Sequence, residues 1–162
     1  MNAGQMNMRV AQPSESRELH GWIKLNHYTR SAPPGYGFAL EFSLGRSRIG
    51  GMLLGRPSSR ELDPEVWLEL TRMHFIDETP LFVESRGLSM MRRHVRTWVP
   101  KIKALLAYSD PEAGHEGTVY LADGWACFGR TRNGNHGWAN RPGRKAPAGK
   151  SPSRKLRWIR TP

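Results

Sequence analysis

The sequence is nearly devoid of sulfur nucleophiles: Cys127 is the single cysteine in 162 residues. One thiol excludes an internal disulfide and supplies too few ligands for a structural zinc site, which fits a reducing, cytoplasmic setting. Its plainest reading is a small buried apolar residue. Long apolar runs are missing too. Nothing approaches the roughly 20 residues that cross a bilayer, so no membrane partner is expected. Residues 1–12 are polar and lack the apolar centre of a secretion signal. Acidic residues are absent from the last fifth of the chain: Arg130 to Pro162 holds ten Lys and Arg but no Asp or Glu.

What is present supports one folded unit. The chain is 38% hydrophobic with six tryptophans, enough for a single sizeable core. The net charge is +11, from 25 basic and 14 acidic residues. Removing the ten basic residues of the last fifth leaves the preceding 129 residues nearly neutral. Residues 1–130 are therefore expected to form a catalytic domain and 131–162 a basic, extended tail. Such a tail seeks polyanions through phosphate contacts and counterion release. Arg141, Arg144, Lys145, Arg154, Lys155, Arg157 and Trp158 are its candidate nucleic-acid contacts, with Trp138 or Trp158 free to stack or wedge; a merely solubilising tail is the alternative.

Hydrophobic periodicity predicts a helix over 14–25, capped by Ser14 or Ser16, and a hairpin of strands 36–44 and 48–55 with Gly50 and Gly51 marking a bulge. A third strand follows over 66–75. Leu88, Met91, Val95 and Trp98 recur at helical spacing and predict a helix over 84–99, stopped by Pro100. The run 102–108 reads as a strand buried on both faces. A short helical segment within 114–125 and a strand over 125–130 complete the pattern, an α/β fold with a mixed central sheet flanked by helices. That order matches the layout of GNAT acyltransferases.

The densest chemistry is Tyr108-Ser109-Asp110-Pro111, then Gly114-His115-Glu116-Gly117 and Tyr120, Ala122, Gly124-Trp125. This block resembles the signature of the Mom family of phage DNA-modification proteins. Asn26-His27-Tyr28, Glu69-Leu70-Thr71-Arg72, Glu84-Ser85, Gly137-Trp138 and Arg157-Trp158 keep the family's order. Leu121 and Gly124 stand where members often carry Gln and Asn. The glycine-rich pyrophosphate loop of GNAT enzymes is not evident between Arg72 and Glu84. The resemblance implies transfer of a carbamoylmethyl group to the exocyclic amine of adenine in double-stranded DNA inside the host cell, protecting it from restriction. A GNAT-type N-acetyltransferase of proteins or small amines, and a non-catalytic nucleic-acid-binding protein, are the competing readings.

Adenine's amine is a poor nucleophile, so the reaction needs a proton acceptor and a stabilised oxyanion or leaving group. His27 is a candidate base, since imidazole titrates near neutrality. Asp110, at the end of a central strand, orients a histidine or accepts the proton itself. Tyr120 is a candidate acid, and Ser109 and Tyr108 share the rim. Tyr28, Arg72, Glu84, Ser85 and His115 are candidate substrate contacts. Each has a structural alternative: a capping histidine, an Asp-Pro turn, a core tyrosine. His27, Asp110 and His115 have no spacing that argues for a metal, which stays unassigned. The donor is open: an acyl donor such as acetyl-CoA, or an activated glycine, conceivably glycyl-tRNA, because carbamoylmethyl-adenine is an isomer of a glycyl amide.

Overall fold

The computed structural model describes residues 5–33, 35–131 and 153–162. Among them are seven strands in one sheet: β1 (Met6–Val10), β2 (Phe38–Leu44), β3 (Ser47–Gly55), β4 (Trp67–Phe75), β5 (Ala104–Ser109), β6 (Ala126–Arg130) and β7 (Leu156–Arg160). The helices are α1 (Pro13–Asn26), α2 (Val83–Trp98) and α3 (Thr118–Ala122), with a 3₁₀ turn at Pro111–Ala113. The sheet order is β1-β2-β3-β4-β5-β7-β6. Every neighbouring pair is antiparallel except β4 and β5. The mixed α/β architecture expected from the sequence is the one observed.

Two strands lie where none was expected. In β1, Met6, Met8 and Val10 alternate with Asn7 and Arg9, the period of a strand with one face inward. The larger correction concerns the chain's last segment. β7 is an interior strand pairing on one side with β5 (Leu106↔Ile159, Ala107↔Trp158) and on the other with β6 (Cys127↔Trp158). Residues 131–162 are therefore not a tail throughout; at least 153–162 belong to the folded unit. Trp158 is 2% exposed. It stacks on Tyr120 and donates from Nε1 to Ser109 Oγ at 2.8 Å, so it has no face to offer a base.

Smaller corrections follow from packing. The α1 N-cap is Gln12, not Ser14 or Ser16; Pro13 opens the helix and Gln12 N–H donates to Glu15. One register shift sets Phe42 and Ser43 against Gly50 and Arg48, so the extra residue of the expected bulge is Ile49, beside Gly50; a second falls at Leu53/Leu54. The glycines also serve close approach: a Cβ on Gly50 would run into the Phe75 ring, and one on Gly51 into Leu19 and Ile23 of α1. Cys127, expected to be buried, is exposed on edge strand β6.

The sheet is covered on both faces. α2 packs Val83, Leu88, Met91 and Val95 against Phe42, Met52, Leu70, Leu105 and Ala107. α1 lays Leu19 and Ile23 on Ala39 and Leu53 on the opposite face. Each fully buried side chain of this size contributes about 1.5–3 kcal/mol. Near the β7 end, Arg92 makes a two-pronged bond to Asp123 (2.7 and 2.8 Å), and Trp125 Nε1 donates to the same carboxylate at 2.9 Å.

Candidate active site

The site begins with a break in the sheet. β4 and β5 pair in parallel from Trp67↔Ala104 to Leu70↔Ala107 and then stop. Beyond that point β4 continues to Phe75 against β3, and β5 continues to Ser109 against β7. Two parallel strands that part while each keeps its outer neighbour open a cleft at their carboxyl ends, where open α/β sheets take ligands.

Three chain segments fill its rim. The residues after α1 bring His27, Tyr28 and Ser31; β4 brings Arg72; the loop after β5 brings Asp110 and His115. The Tyr28 ring lies 4.4 Å from that of His27 and 4.2 Å from that of His115, centroid to centroid. Arg72 Nε donates to Ser31 O at 2.9 Å, and its Nη2 to Ser31 Oγ at 3.3 Å, tying the segment after α1 to the open half of β4. Gly114 and Gly117 both hold positive φ (81° and 85°), allowing the chain to turn sharply on either side of His115. At Gly117 the Trp158 ring also occupies the space of a Cβ.

Electrostatics separate the roles. Burial is the main force on His27, with the cationic side chains of Arg72 and Lys155 and two further histidines adding to it; together they lower its pKa to about 3. His27 is thus neutral at physiological pH. Its Nδ1 lies 3.2 Å from the Thr29 N–H, which can only donate, and 2.9 Å from Thr29 Oγ1. Nδ1 is therefore the acceptor and the ring proton sits on Nε2. A neutral imidazole of this tautomer is better suited to donate a hydrogen bond than to act as a strong base.

Asp110 is 1% exposed. Its Oδ2 accepts from Ser153 Oγ at 2.6 Å and lies 3.4 Å from Lys155 Nζ. Its backbone carbonyl accepts from the N–H groups of Ala113 and His115, so it also shapes the His115 turn. Its charge reaches Tyr28, whose phenol is raised by burial first and by Asp110 second. Tyr120 is buried among Trp125 and Trp158, and desolvation, then the fields of Tyr28 and Glu84, hold its proton firmly. Glu84, in the first turn of α2, is raised by desolvation and partly offset by His115.

The structure brings together His27, Tyr28, Arg72, Glu84, Asp110, His115 and Tyr120. It does not bring in all the expected residues. Ser109 Oγ accepts from Trp158 and is buried. Tyr108 shares a face with Arg157 and hydrogen-bonds Ser58 beside Glu69. Ser85 Oγ donates to Phe82 O, within the α2 N-terminus. Of the expected nucleic-acid contacts, Arg154 and Arg157 are exposed and Lys155 is half-buried beside Asp110. Arg141, Arg144, Lys145 and Trp138 lie outside the described residues. Sequence reasoning missed Ser153, which carries no motif.

Coenzyme A fits only in part. No side chain caps α2, although Val83 N–H already bonds Pro80 O at 3.4 Å. The approach to α2 carries Leu81 and Phe82 in place of glycine, Phe82 itself in the left-handed region. Glu84 adds a carboxyl where a pyrophosphate would approach. Among the described residues, no group of three or more His, Cys, Asp or Glu is placed to hold a metal ion.

Comparison with known proteins identifies the family and the fold. The model of the Mom protein family matches residues 8–145. The methylcarbamoylase Mom of Escherichia phage Mu is 29% identical over 115 residues, 66% of this chain and 48% of that protein, so the match spans about half of the relative's length. The fold is that of GNAT acetyltransferases. The spermidine/spermine N-acetyltransferase of Vibrio cholerae superposes with a TM-score of 0.65 at 9% identity, covering 98% of this chain and 94% of that one. A GNAT family acetyltransferase from Elizabethkingia anophelis with acetyl-CoA bound gives 0.62 at 11% identity, covering 97% and 98%.

Proposed function

Because this chain belongs to the Mom protein family, we propose that it is a phage DNA-modification transferase that adds a carbamoylmethyl group to the exocyclic amine of adenine in DNA. The observation that carries this reading is the convergence of His27, Tyr28, Arg72, Asp110 and His115 at the point where β4 and β5 part. These residues come from three separate stretches of the sequence, and all belong to the motifs that resemble the family.

Adenine has to leave the duplex to reach such a cleft. The exposed edge of Tyr28, beside His115, offers an aromatic surface for it. As the amine attacks, negative charge builds on the donor's acyl oxygen, and the Nε2–H of neutral His27 is a donor already desolvated for that task. The amine's proton needs an acceptor. Glu84, a solvent-reachable carboxyl raised by desolvation, takes it, while Asp110, 1% exposed, fixes the His115 turn through its carbonyl and acts on Tyr28 through its charge. Tyr120 is packed against Trp125 and Trp158 with its proton held, so the leaving group takes up, through solvent, the proton that the amine releases. The donor is of acyl-CoA type, as in the GNAT relatives that hold acetyl-CoA; when bound, such a carrier supplies the activated acyl group. Glycine is the activated unit with the right atoms, one rearrangement from the product.

The test is nucleoside mass spectrometry of plasmid DNA from cells expressing the protein, beside Asp110→Ala. The expected result is an adenine heavier by one carbamoylmethyl group, absent in the variant and labelled when isotopic glycine is fed. Unmodified adenine despite folded protein refutes the reading. The GNAT fold favours acetylation of an amine as the second reading; acetyl transfer to polyamines or peptides without DNA would establish it.

A further inference from the structure

The carboxylate of Asp110 is bonded by residues that come back to it from 43 and 45 positions further along. Ser153 Oγ donates to Oδ2 inside the core, and Lys155 Nζ approaches the same oxygen. Both residues lead directly into β7, which fixes them by pairing with β5, the strand that ends at Ser109. The lead-in is fastened a second time: Thr131 N–H donates to Lys155 O (2.8 Å), Lys155 N–H to Thr131 Oγ1 (3.0 Å), and Arg154 Nε to Thr131 O (3.0 Å). Thr131 and Lys155, the described residues on either side of 132–152 (five Lys or Arg and no acid), are thus held together.

We propose that Ser153 and Lys155 are positioning residues for Asp110, so that the segment leading into β7 completes the active site. The inference rests on the transferase reading for its kinetic consequence, though not for its geometry. A buried carboxylate is held in one rotamer and one charge state only by donors aimed at it. Ser153 supplies a short neutral bond and Lys155 a cation that also acts on His27. Other groups turned towards Asp110 include Tyr28, whose phenol feels its charge, and His115 and Ala113, whose N–H groups hold its carbonyl. Without Ser153 and Lys155, Asp110 has a weaker claim on its proton-free form and the base of the His115 turn loses a fixed point.

The experiment uses the full chain carrying carboxyl-¹³C aspartate, with Asp110→Asn to assign the resonance. Ser153→Ala, Ser153→Thr and Lys155→Met are compared by the titration of that carboxyl carbon and by the rate of adenine modification against pH. The expected result is an upward move of the Asp110 titration in Ser153→Ala and Lys155→Met, because each loses a group that favours the ionised form. The rate falls roughly 100-fold with the acid limb displaced to higher pH, the scale of loss for a mispositioned catalytic group. Ser153→Thr, which keeps the hydroxyl, restores most of both. If Ser153→Ala does not fold, Lys155→Met at its part-exposed position decides. Titration and rate unchanged in the folded variants overturn the proposal. Wild-type protein that never modifies adenine refutes the transferase reading instead, and the titration still judges the positioning.

Discussion

His27 shows how one buried imidazole links stability to function. In the unfolded chain it has the ordinary histidine pKa of about 6.5; in the fold it is held down to about 3. The unfolded state therefore binds the proton first, and the stabilising preference for neutral His27 is fully present only above about pH 6.5. As pH falls from there towards 3, that contribution is progressively lost. Thermal melts of wild type and His27→Gln over this range should show a shallower decline in the variant, and parallel curves would mean that His27 is not held neutral by the fold. The same reasoning revises its chemistry. Its residue type and family motif suggested a base, but burial and the Thr29 N–H at Nδ1 make it a neutral donor, and neither influence can be read from Asn26-His27-Tyr28.

At the level of elements, what could be read in the sequence follows its regular spacing. Leu88, Met91 and Val95 marked α2, the β2–β3 hairpin matched the strands expected over 36–44 and 48–55, and Leu105–Ala107 gave the buried β5. β1 had the same kind of signal in Met6, Met8 and Val10, interrupted by Asn7 and Arg9. β7 was hidden by charge: Leu156 and Trp158 alternate with Arg157, but the surrounding lysines and arginines read as solvent-facing. Tertiary pairing with β5 overrides that local composition. The resulting prediction concerns the whole strand. A chain ending at residue 152 loses the strand that joins β5 to β6 among the described residues, together with the Trp158 ring packed on Tyr120 and Gly117. Circular dichroism should show no cooperative melt for it, and a melt close to that of the full chain would contradict β7 as an interior strand. The site was legible to a similar degree: Asp110, His115 and Tyr120 stood out as a local block, whereas Ser153 meets Asp110 only through strand pairing.

For the whole molecule, charge and fold are separable. The basic excess includes the five cations of 132–152, and Thr131 and Lys155 on either side of that segment are held together. A short Gly-Ser linker between residues 131 and 153 should therefore leave the melting temperature within a few degrees. DNA affinity is a different matter, since each phosphate neutralised contributes about 0.9 to the slope of log affinity against log salt. Loss of five cations should flatten that slope by up to about 4.5. An unchanged slope in fluorescence anisotropy would move the DNA contact to Arg130, Arg154, Arg157 and the cleft rim.

The position of β7 also has a consequence for synthesis. On the ribosome β5 and β6 emerge before the strand that lies between them, so the far part of the sheet cannot close while the chain is being made. Asp110 acquires Ser153 and Lys155 at the same late moment. A nascent or interrupted chain would then hold the family's motif residues without the partners that fix Asp110.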